Sequence, residues 1–278
     1  MTDPLFIERN GHRTWLKWHR GRRQLSDTAF TGARIEEAMR LGASVEVDLV
    51  VHADHGCVIL HDLTLERETT GSGRVRATGA DALRQLKLRG NDGRPVSDPV
   101  MLLEDLLALL GRHAPLPEAL LQLDFKEDLA ALTPQLVAGF AAAATPLSGY
   151  LILSGGDVDA IGALAASVPM LRTGYDPCHG SSLDRLAARG NYSAFISDAL
   201  AAAPEAAFIY LDYQVVLAAQ NSGFDIVAPI HQAGRMVDAW TIPTADPSFI
   251  PLIERLIALK VDQITTDDPE ALHQAFTA

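Results

Sequence analysis

Hydrophobic and polar positions change period along the chain, and the changes mark out its elements. Over Ser44–Val51, Val45, Val47, Leu49 and Val51 alternate with Glu46, Asp48 and Val50. A period of two predicts a strand and puts Glu46 and Asp48 on one face. Further strands are predicted at Thr14–Trp18, Leu120–Asp124, Tyr150–Leu153, Met170–Thr173, Phe208–Leu211, Met236–Trp240 and Asp262–Thr265. Helical spacing fills the intervals. Thr28–Leu41 carries Phe30, Ile35, Ala38 and Met39 on one side, with Ser26 or Asp27 as its cap and Gly42 as its end. Val100–Leu110 opens behind Pro99, and Leu132–Ala144, Val158–Ala166 and Ile250–Leu259 follow. Ala53–Gly56 reads as a turn, after which Cys57–Leu60 pairs back or runs on towards His61.

Strands alternating with helices predict a parallel sheet. Eight such units in about 250 residues favour a (β/α)8 TIM barrel over an open doubly wound sheet. Glu66–Pro99 breaks the rhythm. It is polar, with Gly-Ser-Gly at Gly71–Gly73 and Asn-Asp-Gly at Asn91–Gly93, and reads as an insertion with a short helix near Ala80–Leu88. The expected organisation is a single TIM-barrel domain over residues 1–278, with residues 66–99 forming a small cap after strand 2.

Composition narrows the function. The 278 residues are 48% hydrophobic and carry 35 Asp and Glu against 23 Lys and Arg, a net charge of −12. That balance argues against nucleic acid and against electrostatic docking on anionic membranes. No apolar run is long enough to span a bilayer and no signal peptide is evident, so a cytoplasmic protein is expected. The two cysteines, Cys57 and Cys178, fit neither a metal spacing nor a disulfide framework. No GxGxxG or P-loop is present. The sequence does not indicate an oligomeric state.

The chemistry lies at predicted strand ends, where (β/α)8 barrels place their sites. Glu46 and Asp48 repel unless a cation lies between them; the alternative is a solvated pair on an exposed face. Strand 1 adds His19 and Arg20, strand 3 adds Asp124 and Lys126, strand 7 adds Trp240, and His61 follows strand 2. Three carboxylates suit Mg2+ or Ca2+. Arg20 and Lys126 provide fixed charge for a phosphoryl oxygen, and two histidines provide an acid and a base near neutral pH. The set suits cleavage of a small-molecule phosphodiester.

These residues resemble the glycerophosphodiester phosphodiesterase family. The resemblance rests on His19-Arg20-Gly21, on Glu46-x-Asp48 27 residues after His19, and on His61-Asp62 15 residues after Glu46. Leu65–Gly73, Asp124-Phe125-Lys126, Trp240-Thr241-Ile242 and Asp262–Pro269 are similar to further segments of that family, so most of the chain is covered. The resemblance implies a TIM barrel with an insertion after strand 2. It implies Glu46, Asp48 and Asp124 as ligands of a divalent metal, His19 and His61 as the catalytic pair, Arg20 and Lys126 on the phosphate, and Trp240 in the substrate pocket. The reaction it implies is hydrolysis of a glycerophosphodiester to glycerol phosphate and an alcohol, through a cyclic phosphate.

Two departures keep a rival open. Leu25-Ser26-Asp27-Thr28 stands where the family has Pro-Glu-Asn-Thr, and Asp124 stands where it has Glu. They motivate a phospholipase D-like lyase that releases the cyclic phosphate; a non-catalytic binding barrel is the reading from another class. Several other residues are expected to be bystanders: His52 and His55 as solvated turn residues, Cys57 and Cys178 as packing thiols, and Asp267 and Asp268 as the close of the last strand and the cap of the next helix. Ser154 and Asp212 fall at strand ends and are secondary candidates for contact with substrate.

Overall fold

The computed structural model describes residues 3–277. Among these, eight parallel strands close into a barrel: β1 (His12–Trp18), β2 (Ser44–Val51), β3 (Leu120–Phe125), β4 (Leu151–Gly155), β5 (Arg172–Tyr175), β6 (Phe208–Asp212), β7 (Met236–Ile242) and β8 (Gln263–Thr266). Each pairs with the next, and β8 returns to β1 with Gln263 opposite Trp15 and Thr266 opposite Trp18. The predicted (β/α)8 TIM barrel is therefore the fold. Phe6–Arg9 adds an antiparallel strand outside β1, and Cys57–Ile59 folds back antiparallel on β2.

Parallel barrel strands are covered on both sides, by helices outside and by one another inside. All eight residues of β2 are accordingly buried, so Glu46 and Asp48 are not a solvated pair. Val45, Val47 and Leu49 join Ile35, Ala38 and Met39 in the shell between barrel and helices. The intervening residues face the barrel interior, where Leu120, Ile152, Phe208 and Tyr210 form a small apolar cluster.

Several element ends differ from expectation. The first helix runs Gly32–Leu41, not from Thr28, because Phe30 is buried in a left-handed conformation (φ 63°) and its amide donates to Arg20 O. Asp27 caps no helix; it accepts from the amides of Arg23 and Gln24. The helix expected from Val100 begins at Leu103, since Pro95–Pro99 is a strand paired with Lys87–Arg89. That hairpin also shortens the helix of the insertion to Ala80–Arg84. The segment reaches the barrel where Asn91 Nδ2 donates to Leu25 O (2.8 Å) and Glu68 meets the chain after β2. No helix among the described residues is long and apolar enough to cross a membrane.

Candidate active site

β1, β2 and β3, with the turns that follow them, carry His19, Arg20, Glu46, Asp48, Asp124 and Lys126. Past Trp18 the chain makes a single 3-10 turn, His19–Gly21, with Arg20 at φ 55° and Gly21 at φ 72°. A Cβ on Gly21 would lie 2.6 Å from Ile35 Cγ1, so both conformation and space demand glycine. The turn points the Arg20 amide at Glu46 Oε2 (3.0 Å) and its guanidinium Nε at Asp48 Oδ2 (3.2 Å). On β3, Asp124 is in register with Asp48. Lys126 Nζ lies 2.7 Å from Asp48 Oδ1 and also pairs with Asp124.

A cavity of about 260 Å3 opens over these groups and is lined by every residue picked out from the sequence: His19, Arg20, Glu46, Asp48, His61, Asp124, Lys126 and Trp240. The expected convergence at one rim is thus observed. Trp240 presents a buried indole Nε1 that has no protein partner. None of Leu25–Thr28 lines the cavity.

The carboxylates form an electrostatically tense group. Oxygens of Glu46, Asp48 and Asp124 all lie within 4.8 Å of one another. Burial, then repulsion from Asp48, pushes Glu46 well above its ordinary value. Burial disfavours ionised Asp48 too, but Lys126 and Arg20 outweigh it and hold that carboxyl low. Burial would lower Lys126, yet Asp124, Asp48 and Glu46 overcome it and keep the ammonium charged. Both Asp48 oxygens sit at ion-pair distance from cations without an aligned hydrogen bond. Buried lone pairs left free beside two further carboxylates fit a hard divalent cation, which takes oxygen ligands.

The two histidines are held differently. His19 Nδ1 lies 2.7 Å from Asp267 Oδ1, which turns Nε2 towards Glu46, 3.9 Å away. Burial lowers the His19 pKa, only partly offset by Asp267. His61 is more exposed; its Nδ1 lies 2.9 Å from Asp62 Oδ1. Glu68, from the insertion, fixes this stretch by accepting the amides of His61 (3.0 Å) and Asp62 (2.9 Å).

Several bystanders are reassigned. Asp267 does more than close the last strand: it binds His19 and also accepts from Arg22 Nη1 at 2.7 Å. Its approach to His19 comes from the far end of the chain, so local spacing did not reveal it. Asp268 does cap the following helix, accepting from the Ala271 amide. His52 is buried, not solvated; Gly56 folds so tightly over it that a Cβ there would lie 2.5 Å from Nε2. Ser154 is fully buried and donates to Asp124 Oδ1 at 2.6 Å, while Asp212 caps the helix after β6 through the Gln214 amide. Cys57 and Cys178 are buried, and burial pushes the Cys57 thiol up to about 12. Asp176, overlooked in the sequence, lines the cavity; burial and Asp124 push its carboxyl up to about 8.

Residues 19–130 match the profile of the glycerophosphoryl diester phosphodiesterase family. Over this span, about two fifths of the chain, the sequence is similar to that family. The matched span holds His19, Arg20, Glu46, Asp48, His61, Asp124 and Lys126, and stops short of Trp240 and Asp267. Among proteins with curated descriptions none matches. Solved structures share the whole architecture. A protein from Silicibacter pomeroyi, assigned as a glycerophosphoryl diester phosphodiesterase, is 21% identical with a TM-score of 0.73, over 97% of this chain and 95% of that one. An Oleispira antarctica phosphodiesterase in complex with the product sn-glycerol-3-phosphate is 20% identical with a TM-score of 0.66, over 95% and 96%. A glycerophosphodiester phosphodiesterase from Agrobacterium tumefaciens is 20% identical with a TM-score of 0.65, over 94% and 99%. At such identities the likeness concerns the common barrel.

Proposed function

We propose that the protein is a member of this family and hydrolyses glycerophosphodiesters to glycerol phosphate and an alcohol, using a divalent metal and two histidines. The observation that carries the proposal is one cavity lined by His19 and His61 together with Glu46, Asp48, Asp124, Arg20 and Lys126. Glu46, Asp48 and Asp124 would hold Mg2+ or Ca2+. When bound, the ion would draw charge from a phosphoryl oxygen. Arg20 and Lys126 face the same oxygens with fixed positive charge that needs no reorganisation as the transition state forms.

His19 is the better first base. Burial favours its neutral imidazole, and the Asp267 contact at Nδ1 leaves Nε2 free to accept. It takes the proton of the substrate hydroxyl vicinal to the phosphate, whose oxygen attacks phosphorus. His61, steadied through Nδ1 by Asp62, delivers a proton to the departing alcohol oxygen. A cyclic phosphate results, and water then opens it with the two roles exchanged. Trp240 lines the pocket that receives the substrate. Glu66–Pro99 acts as a cap that shapes the alcohol side of the mouth; the contacts of Glu68 and Asn91 beside β1 and β2 support this.

Phosphorus NMR on glycerophosphocholine, -ethanolamine, -inositol and -glycerol with added metal tests the reaction. Linear glycerol phosphate is expected as the end product. A persistent cyclic ester would replace hydrolysis by the lyase reaction that the shorter Asp124 motivates. Ligand binding without turnover across the panel would make this a binding barrel.

A further inference from the structure

Beneath the carboxylates the barrel interior holds a run of polar side chains that the proposed reaction does not use. Lys17 on β1 and Asp238 on β7 form an ion pair at 2.9 Å, and both are essentially inaccessible to solvent (1% and 0%). The Lys17 ammonium also lies 4.4 Å from the centroid of the Tyr210 ring and donates to Gln122 Oε1. Gln122 Nε2 donates to Ser154 Oγ at 2.8 Å, and Ser154 Oγ donates to Asp124 Oδ1 at 2.6 Å. On the far side, Thr265 Oγ1 donates to Asp238 Oδ1 at 2.7 Å.

The direction of this chain is fixed from its base. An ammonium has donors and no acceptor, so Lys17 dictates that the Gln122 amide turns its oxygen inward and its NH2 towards Ser154. The Ser154 oxygen is then occupied as an acceptor, and its one proton is directed at Asp124. Were Gln122 free to flip, its carbonyl would compete for that proton and Asp124 would lose its buried donor. Such chains polarise along their length, and a half-satisfied one is costly at this depth.

We propose that Lys17, Gln122 and Ser154 are positioning residues: a one-way hydrogen-bond relay that aims the Asp124 carboxylate at the metal. The proposal rests on the reading of Asp124 as a metal ligand. It also gives a physical account of the shorter side chain at this position. Asp124 is gripped on both oxygens, by Ser154 on Oδ1 and Lys126 on Oδ2, so its reach is set by partners built into neighbouring strands.

Calorimetric titration of the metal-stripped full chain with Mg2+ and Ca2+, with no substrate present, tests it. Ser154→Ala and Gln122→Met should each weaken metal binding about tenfold or more, the usual scale for losing a partner behind a ligand. Lys17→Met alone would strand the Asp238 charge, so the double variant Lys17→Met/Asp238→Leu, which removes both charges, is the cleaner probe. It should fold and show the same weakened affinity. Wild-type affinity in these folded variants, alongside lost binding in Asp124→Asn, overturns the relay. Wild-type affinity in Asp124→Asn removes the metal reading on which the relay depends.

Discussion

Asp267 offers a sharp test of how His19 is held. Its Oδ1 accepts from both His19 Nδ1 and Arg22 Nη1, each at 2.7 Å. Replacement by alanine removes both bonds and leaves the imidazole free to rotate and to change tautomer. Loss of an oriented base costs about 10²–10³-fold in turnover, or about 3–4 kcal/mol of barrier. Asparagine should be milder for a reason specific to this site. Arg22 can only donate, so it keeps the amide oxygen of an introduced asparagine facing inward, and His19 Nδ1–H retains an acceptor. Only the charge is lost. A charge-assisted bond is worth roughly twice a neutral one, so the deficit is about 1–1.5 kcal/mol, or about tenfold. Turnover at saturating glycerophosphodiester for Asp267→Ala and Asp267→Asn, with thermal unfolding as a control, measures both. The loss should fall on kcat, with KM little changed. Wild-type kcat in folded Asp267→Ala would show that His19 needs no partner there; an asparagine variant as impaired as alanine would show that Arg22 does not fix the amide.

Chelation should abolish turnover and added Mg2+ or Ca2+ should restore it, as a stopped assay in excess EDTA will reveal; full activity there would remove the metal. Replacing the hairpin portion of Glu66–Pro99 should alter preference among leaving alcohols more than it alters the unfolding temperature, and the reverse pattern would make the segment a structural brace. Asp176 has a folded-state pKa of about 8, above its unfolded value. Its contribution is therefore fully present below about pH 4 and is lost as pH rises through 8. Asp176→Asn should stabilise the metal-free protein at pH 9 and do little at pH 4, by thermal unfolding; equal shifts at both would contradict the burial-driven pKa.

What could be read from the sequence was the chemistry packed into short spans. Glu46 and Asp48 share one strand, and the glycine of His19-Arg20-Gly21 answers a local demand, the approach of Ile35 to a left-handed turn. The alternating pattern of β2 also placed the two carboxylates on one face. It could not say whether that face was solvent or barrel interior, because period two is the same in both cases. Asp267 escaped because its partner His19 lies 248 residues away. Lys17 and Asp238 escaped for the same reason: each looks like an ordinary polar residue until β8 brings β1 and β7 within reach. The helix expected from Thr28 failed because burying Phe30 against the loop outweighed its helical spacing.

The central claim is that His19 and His61 act as one acid–base unit on a single phosphate. The direct measurement is turnover and thermal unfolding of His19→Ala, His61→Ala and the double variant. Each single change should cost about 10²–10⁴-fold with the fold intact, and the double should cost little more than the worse single, because the two act together. A single variant that remains folded and keeps near wild-type turnover would contradict the two-histidine mechanism.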